Sequence, residues 1–402
     1  MSTQTDVMTV STAVAHEVGR EQTAQQLASQ IQDALAGRRL DLALLLVSPH
    51  YLDELDRLTL RLHELLSARV LLGASGEAVI CGETELENQA AAVLWAAHLP
   101  DVQLSSFHLS QDDLQRIESD EELCEHLAVK PQQDPAFLLL GDPFSIDILD
   151  ALERLQRAYP GRPAIGGMAS AAPAPGRNRV IFDGQVLRQG LTGVAVWGGV
   201  RIDTLVSQGC RPIGRPLVVT RATGKLVEQL GGKEALQAFR AMLYECPRHD
   251  VELARSRGLF VGRVINEYKP TFSRGDFLIR TCLGFDEKTG VMAVDEPVRV
   301  GQTIQFHVRD AESASEDLSA LLAAADPRPL GGLLLFSCNG RGTRLFAQPH
   351  HDARMISAHF GGAPLAGFFC AGEIGPVGGR NFLHGHTASV GVVRPIIPSS
   401  DA

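Results

Sequence analysis

No CxxC pair occurs in the chain. Its seven cysteines are odd in number and scattered, which argues against a disulfide framework or a zinc site and predicts thiols in a reducing cytoplasm. A surplus of basic residues is also lacking: 37 Lys and Arg face 47 Asp and Glu, for a net charge of -10. Nucleic acid and anionic lipid surfaces are therefore not expected partners, because binding phosphate normally takes excess Lys and Arg. Long apolar runs are missing too. "LDLALLLV" and "FLLLG" fall far short of the roughly 20 residues that cross a bilayer, and the first 37 residues lack the basic start and apolar core of a secretory signal. The expected location is the cytoplasm. Neither a P-loop nor GxGxxG is present, and Ser75 has no GxSxG elbow around it, so nucleotide binding and Ser hydrolysis have no local support.

What is present reads as an ordinary globular protein, 45% hydrophobic and 21% charged over 402 residues, long enough for about two domains. Residues 1 to about 12 read as frayed. "HEVGREQTAQQLASQIQDALAG" then spaces Val18, Leu27, Ile31 and Leu35 as a helix ending at Gly37, where glycine favours the left-handed cap. "DLALLLVSPHYLDELDRLTLRLHELLSARVLLGASGEAVI" predicts strand, Ser-Pro turn, helix and strand, with Leu55, Leu58, Leu62 and Leu65 on one stripe.

The same grammar returns at "AFLLLGDPFSIDILDALERLQRAYPGRPAIGGMAS", and Pro49 to Gly73 is nearly the same interval as Pro143 to Gly166. A looser third copy is "GGLLLFSCNGRGTRLFAQPHHDARMISAHFGGAPLAGFFCAGEIG". Either duplication or the common look of α/β proteins accounts for three such units. Between them, "NRVIFDGQVLRQGLTGVAVWGGVRIDTLVSQG" carries DG and GG hairpin turns, and residues 258–309 read as an antiparallel meander. Helices are expected over "EALQAFRAMLYE" and Ala311 to Ala324. The fold class is α/β with mixed α+β character: two domains, mixed sheets, strand-helix-strand units and meanders. The junction falls near 208–219, where two prolines and two glycines interrupt the pattern. Residues 1–38 form a helical extension, 39–210 and 211–394 the two domains, and 395–402 a polar tail.

"LLLFSCNGRGTRLF" with "ISAHFGGAPLAGFFCAGEIGPVGGRNFLHGHTASV" resembles the carboxy-terminal half of the FIST family, named for F-box and intracellular signal transduction proteins. "LALLLVSPHY", "LLGASGEAVICGETELEN", "AIGGMAS" and "TGVAVWGGV" resemble its amino-terminal half, so the two domains are of FIST N and FIST C type. The resemblance implies a sensory domain that binds a small ligand, an amino acid or related metabolite, and serves signal transduction through a partner protein. No F-box-like segment, kinase motif or output module is read here.

Both motifs end apolar runs, where strand ends deliver side chains to a crevice. Cys338, Asn339, Gly340, Arg341 and Gly342 make the first candidate stretch: the glycines let backbone approach a ligand, and Arg341 forks to a carboxylate or phosphate. The alternative is a buried cysteine beside a structural turn, with Arg341 paired to an internal acid. Gly372 and Glu373 make the second, with Glu373 gripping an ammonium group, acting as a base, capping a helix or pairing with Arg341. The turns at Gly73–Glu77 and Gly166–Ser170 are candidates to line the same pocket. A rival reading is a Cys-dependent enzyme with Cys338 as nucleophile and Glu373 or His384 as base. His351 and His359, or His384 and His386 on one strand face, show no converging ligand spacing, so no metal and no cofactor is expected.

Overall fold

The computed structural model describes residues 7–16 and 19–396. Contacts divide the chain into two units: residues up to 206 with 321–383 and from 387 onward, and residues 207–320 with 384–386.

In the first unit the grammar seen in the sequence is built three times. The first copy runs β1 (Thr9–Ala15), α1 (Arg20–Leu35), β2 (Leu42–Val47), α2 (Leu55–Leu66), β3 (Val70–Ser75), the hairpin β4 (Val79–Cys81) and β5 (Thr84–Leu86), then β6 (Ala92–His98). Residues 9–12, expected to be frayed, belong to β1 because this stretch finds an antiparallel partner in β6. Ala36, not Gly37, takes the left-handed C-cap of α1. The stripe on α2 buries Leu55, Leu58 and Leu62.

A second copy runs β7 (Val102–Leu109), α3 (Gln111–Arg116), α4 (Asp120–Leu127), β8 (Ala136–Gly141), α5 (Ile148–Ala158), β9 (Ala164–Met168), the hairpin β10 (Val180–Phe182) and β11 (Gln185–Leu187), and β12 (Leu191–Gly198). The third opens with β13 (Val200–Gln208) and is then interrupted.

The interruption is the second unit. It holds β14 (Cys210–Thr223), β15 (Leu226–Leu230), β16 (Lys233–Glu234), α6 (Ala235–Glu245), α7 (Arg248–Arg257), β17 (Leu259–Val264), β18 (Phe277–Phe285), β19 (Met292–Val294) and β20 (Thr303–Arg309). These strands form one sheet in the order β14-β20-β17-β18-β19-β15-β16; of the meander expected over 258–309, β17, β18 and β19 are consecutive neighbours, while β20 returns to pair with β17 and β14. Pro212, Gly214 and Pro216 lie inside β14, at a shift of its register against β20. The third copy resumes with α8 (Ala311–Ala324), β21 (Gly332–Cys338), α9 (His351–His359), β22 (Leu365–Cys370), the hairpin β23 (Glu373–Val377) and β24 (Arg380–His384), and β25 (Thr387–Pro395).

Three six-stranded sheets result, ordered β1-β6-β2-β3-β10-β11, β7-β12-β8-β9-β23-β24 and β13-β25-β21-β22-β4-β5. Each has a parallel central pair and the same arrangement, but its last two strands come from another copy. The hairpin of the first copy completes the third sheet, that of the second completes the first, and that of the third completes the second. The exchange is cyclic. One core is shared among the three sheets: Leu44, Leu46 and Trp95, Leu138, Leu140 and Val194, and Leu334, Phe336 and Phe368. Helices cover outer faces, α1 and α2 over the first sheet and α4 and α5 over the second. Buried on both sides, the central strands read as continuous apolar runs.

The register confirms that the copies are equivalent. Leu45 pairs with Gly73, Leu139 with Gly166 and Leu335 with Gly367. A Cβ on any of these glycines would lie 1.8–2.1 Å from the carbonyl oxygen of its partner leucine, so each position admits only glycine.

Candidate functional site

Strand ends from the three copies meet within the first unit. Ser170 N donates to Ser75 O at 2.9 Å, Met168 N to Gly372 O at 2.9 Å and Ala371 N to Met168 O at 3.0 Å. Ser170 Oγ accepts from Glu77 N at 2.9 Å and donates to Phe369 O. The turns at 73–77, 166–170 and 370–373 are thus hydrogen-bonded to one another.

Cys338 is the last residue of β21 and stands opposite Cys370, the last of β22. The chain then turns sharply: Arg341 N donates to Cys338 O at 2.8 Å and Gly340 N to Cys338 Sγ at 3.4 Å. Gly342 holds φ 57°, and a Cβ there would lie 2.7 Å from Glu87 Oε1. Its glycine is required twice over, by conformation and by space.

Arg341 is 1% exposed and forks onto Asp352, Nε to Oδ2 at 2.6 Å and Nη2 to Oδ1 at 2.9 Å. Sequence reasoning offered an internal acid as one partner for Arg341; that acid is Asp352, at the start of α9, and not Glu373. His351 Nδ1 lies 2.9 Å from Asp352 Oδ1 and its ring stacks on Phe346. Burial pushes the Asp352 carboxyl up, but the Arg341 charge and its hydrogen bonds outweigh this and hold it well below the usual carboxylate range. Glu85, from the exchanged β4–β5 hairpin, accepts from Asp352 N at 3.0 Å and Ala353 N at 3.1 Å at the amino end of α9. Burial, then the charge on Asp352, pushes its pKa up to about 7. Glu85 Oε2 and Arg341 Nη1 are buried without a hydrogen-bond partner.

Glu373 is fully buried in a core position. It pairs with Gly167 in β9, as Val180 pairs with Ala74 and Val79 with Phe368 in the other two exchanged hairpins. A carboxyl therefore stands where the other copies have valine. Its Oε2 accepts from Thr387 N at 3.1 Å and Thr387 Oγ1 at 2.8 Å, while Oε1 has no partner. Burial pushes its pKa up to about 8 against those hydrogen bonds. Gly372 before it has φ 131° and sits tightly against Leu383.

In front of this buried cluster lies a crevice of about 90 Å³. Glu77, Glu87, Asn339, Thr343 and Arg344 supply its polar wall, with Phe369 among the lining side chains. Arg344 is bound to both carboxylate oxygens of Glu77, and its Nη1 donates to Asn339 O at 2.9 Å. Glu87 accepts from Thr343 N at 3.0 Å and Oγ1 at 2.7 Å. Asn339 Oδ1 is buried without a partner.

Of the residues singled out from sequence, Asn339 of the first motif and Glu77 of the Gly73–Glu77 turn line this crevice. Cys338, Gly340, Arg341, Gly342, Gly372 and Glu373 are not among its lining residues. His384 belongs to the second unit. His386 follows the end of β24 with φ 62°, so the pair does not share a strand face as expected. Glu85, Glu87 and Asp352 were missed. "PHHDARMISAH" drew the reading to its histidines, although an acid at the first turn of a helix beside an arginine-bearing turn was the available signal. The link between Glu85 and Asp352 spans 267 positions and has no local trace.

Among the described residues no helix is long and apolar enough to cross a membrane. The FIST N domain model matches residues 41–233 and the FIST C domain model residues 235–376. An uncharacterised protein of Mycobacterium tuberculosis is 40% identical over 384 residues, covering 95% of this chain and 98% of the relative. One of Mycobacterium bovis is 38% identical over 386 residues with the same coverage. Among solved structures, a cyanuric acid hydrolase from A. caulinodans aligns over 97% of this chain and 100% of its own, with a TM-score of 0.38 and 8% identity.

Proposed function

Since the chain belongs to the FIST family, whose domains are recognised as sensor domains of signal transduction, we propose that it binds a small polar metabolite in the crevice between Glu77, Asn339 and Arg344. The observation that carries this reading is the Arg344–Glu77 ion pair at the crevice wall, with Glu87 held by Thr343 and the partnerless Asn339 Oδ1 beside it. A zwitterion of amino-acid type can exchange with this ion pair, its carboxylate taking the Arg344 fork and its ammonium the freed Glu77 and the neighbouring Glu87. The volume of about 90 Å³ is well under that of drug-sized pockets. It suits one such polar head and excludes a nucleotide.

Arg344 is 57% exposed and its pair with Glu77 is at the surface, so Arg344→Ala leaves the fold intact, as exposed pairs contribute little. In a thermal-shift screen of amino acids, amines and small carboxylic acids, a ligand at 100 times its Kd stabilises the native protein by about 2.7 kcal/mol. That shift disappears in Arg344→Ala and in Glu87→Gln and returns in part in Arg344→Lys, whose point charge lacks the planar fork. A ligand that shifts all three variants as it shifts the parent protein would place binding elsewhere.

A further inference from the structure

We propose that Cys338 and Cys370 form a hydroperoxide-responsive thiol pair, in which Cys338 is oxidised first and Cys370 resolves it as an intramolecular disulfide. The two residues are register partners at the ends of neighbouring parallel strands. Two residues earlier, their ladder neighbours Phe336 and Phe368 meet edge to face with centroids 5.7 Å apart on the core side. Because alternate strand residues share a face, the thiols point the same way as those rings. Adjacent strands lie about 4.8 Å apart, inside the Cα separation of roughly 4.4–6.8 Å that a disulfide spans. Among the described residues no other cysteine faces a cysteine across a strand ladder: Cys81 faces Ala366, Cys210 faces Arg309 and Cys282 faces Val294, while Cys124 lies in α4 and Cys246 follows α6.

The two thiols differ in the way that a two-step oxidation needs. Cys338 is partly exposed and Cys370 is buried. Gly340 N donates to Cys338 Sγ at 3.4 Å, and the Arg341 guanidinium is near enough to interact with that sulfur; a donor and a cation beside a partly exposed sulfur are the surroundings typical of reactive thiols. Burial, reinforced by the charges of Glu373 and Cys338, keeps Cys370 protonated, and its sulfur lies in the space a Cβ on Gly167 would take. In the first step the Cys338 thiolate attacks the hydroperoxide, the O–O bond breaks, and sulfenic acid forms as hydroxide or alkoxide leaves. In the second, Cys370 sulfur attacks the Cys338 sulfur, the S–O bond breaks, and the thiol proton departs with the hydroxyl as water. A dithiol reduces the disulfide by thiol–disulfide exchange, restoring both thiols as it becomes a cyclic disulfide itself.

Full-length protein is treated with equimolar hydrogen peroxide, alkylated, and digested without reduction. Two of the seven thiols are lost, the Cys338–Cys370 linked peptide appears, and dithiothreitol restores both. In Cys370→Ser, dimedone captures the sulfenic acid at Cys338 and at no other cysteine. Cross-links to another cysteine, over-oxidation of Cys338 while Cys370 stays a thiol, or unchanged thiols in the parent protein would each overturn the pairing.

Discussion

Asp352→Ala lowers the stability of the first unit by about 3–5 kcal/mol, the range for stripping one partner from a buried ion pair. Arg341 and Asp352 are each 1% exposed, so the orphaned guanidinium cannot be rescued by water. Arg341→Ala is as damaging, because it leaves the Asp352 carboxylate beside Glu85, which already raises the cost of charge there. Arg341→Met combined with Asp352→Leu recovers most of the loss, since a matched apolar pair has no desolvation to offset. Urea unfolding followed by tryptophan fluorescence reads the right unit, because Trp95 and Trp197, the two tryptophans of the chain, both belong to it. An Asp352→Ala variant within 1 kcal/mol of the parent would show that the pair does not hold the turn.

Alkali destabilises the first unit well below the pH at which lysines titrate. Glu373 has a folded pKa pushed up to about 8 and Glu85 one pushed up to about 7, against an ordinary value of 4.5 for both. Between 4.5 and those values the folded state holds protons that the unfolded state has released. Stability contributed by the protonated groups is therefore full below about pH 4.5 and is lost as pH rises through about 7 and 8, at up to about 1.4 kcal/mol per pH unit for each group. Asp352, held low, titrates outside this window. Glu373→Gln removes the larger share of the slope while keeping the acceptor for Thr387 N and Oγ1. The test is the urea midpoint from pH 5 to 9: a flat profile in the parent protein, or an unchanged slope in Glu373→Gln, sinks the assignment.

The near-equal intervals from Pro49 to Gly73 and from Pro143 to Gly166 were legible because strand, helix and strand are local, and local periodicity survives in sequence. The helix expected at about Ala311 to Ala324 occupies those residues. What sequence could not carry was the third dimension of the hairpins. Val79, Val180 and Glu373 occupy matching ladder positions, yet nothing near them in the chain says that each joins another copy's sheet. The site suffered for the same reason: the arginine-bearing turn was visible, but Arg341 proved to face inward and Arg344 outward, and Glu85 reaches α9 only through the exchange.

The cyclic exchange of hairpins bears on how the chain is made. During synthesis β4 and β5 leave the ribosome long before β22, the strand they will flank, which lies about 290 residues farther on. No copy completes its own sheet, so a nascent chain ending after the second copy keeps one hairpin without its sheet and the second sheet without its last two strands. Such unpaired edges recruit other chains readily. Cooperative closure must therefore wait for the last strands, and a ribosome stalled before residue 365 holds an aggregation-prone intermediate whose natural remedy is a chaperone able to mask an open sheet edge.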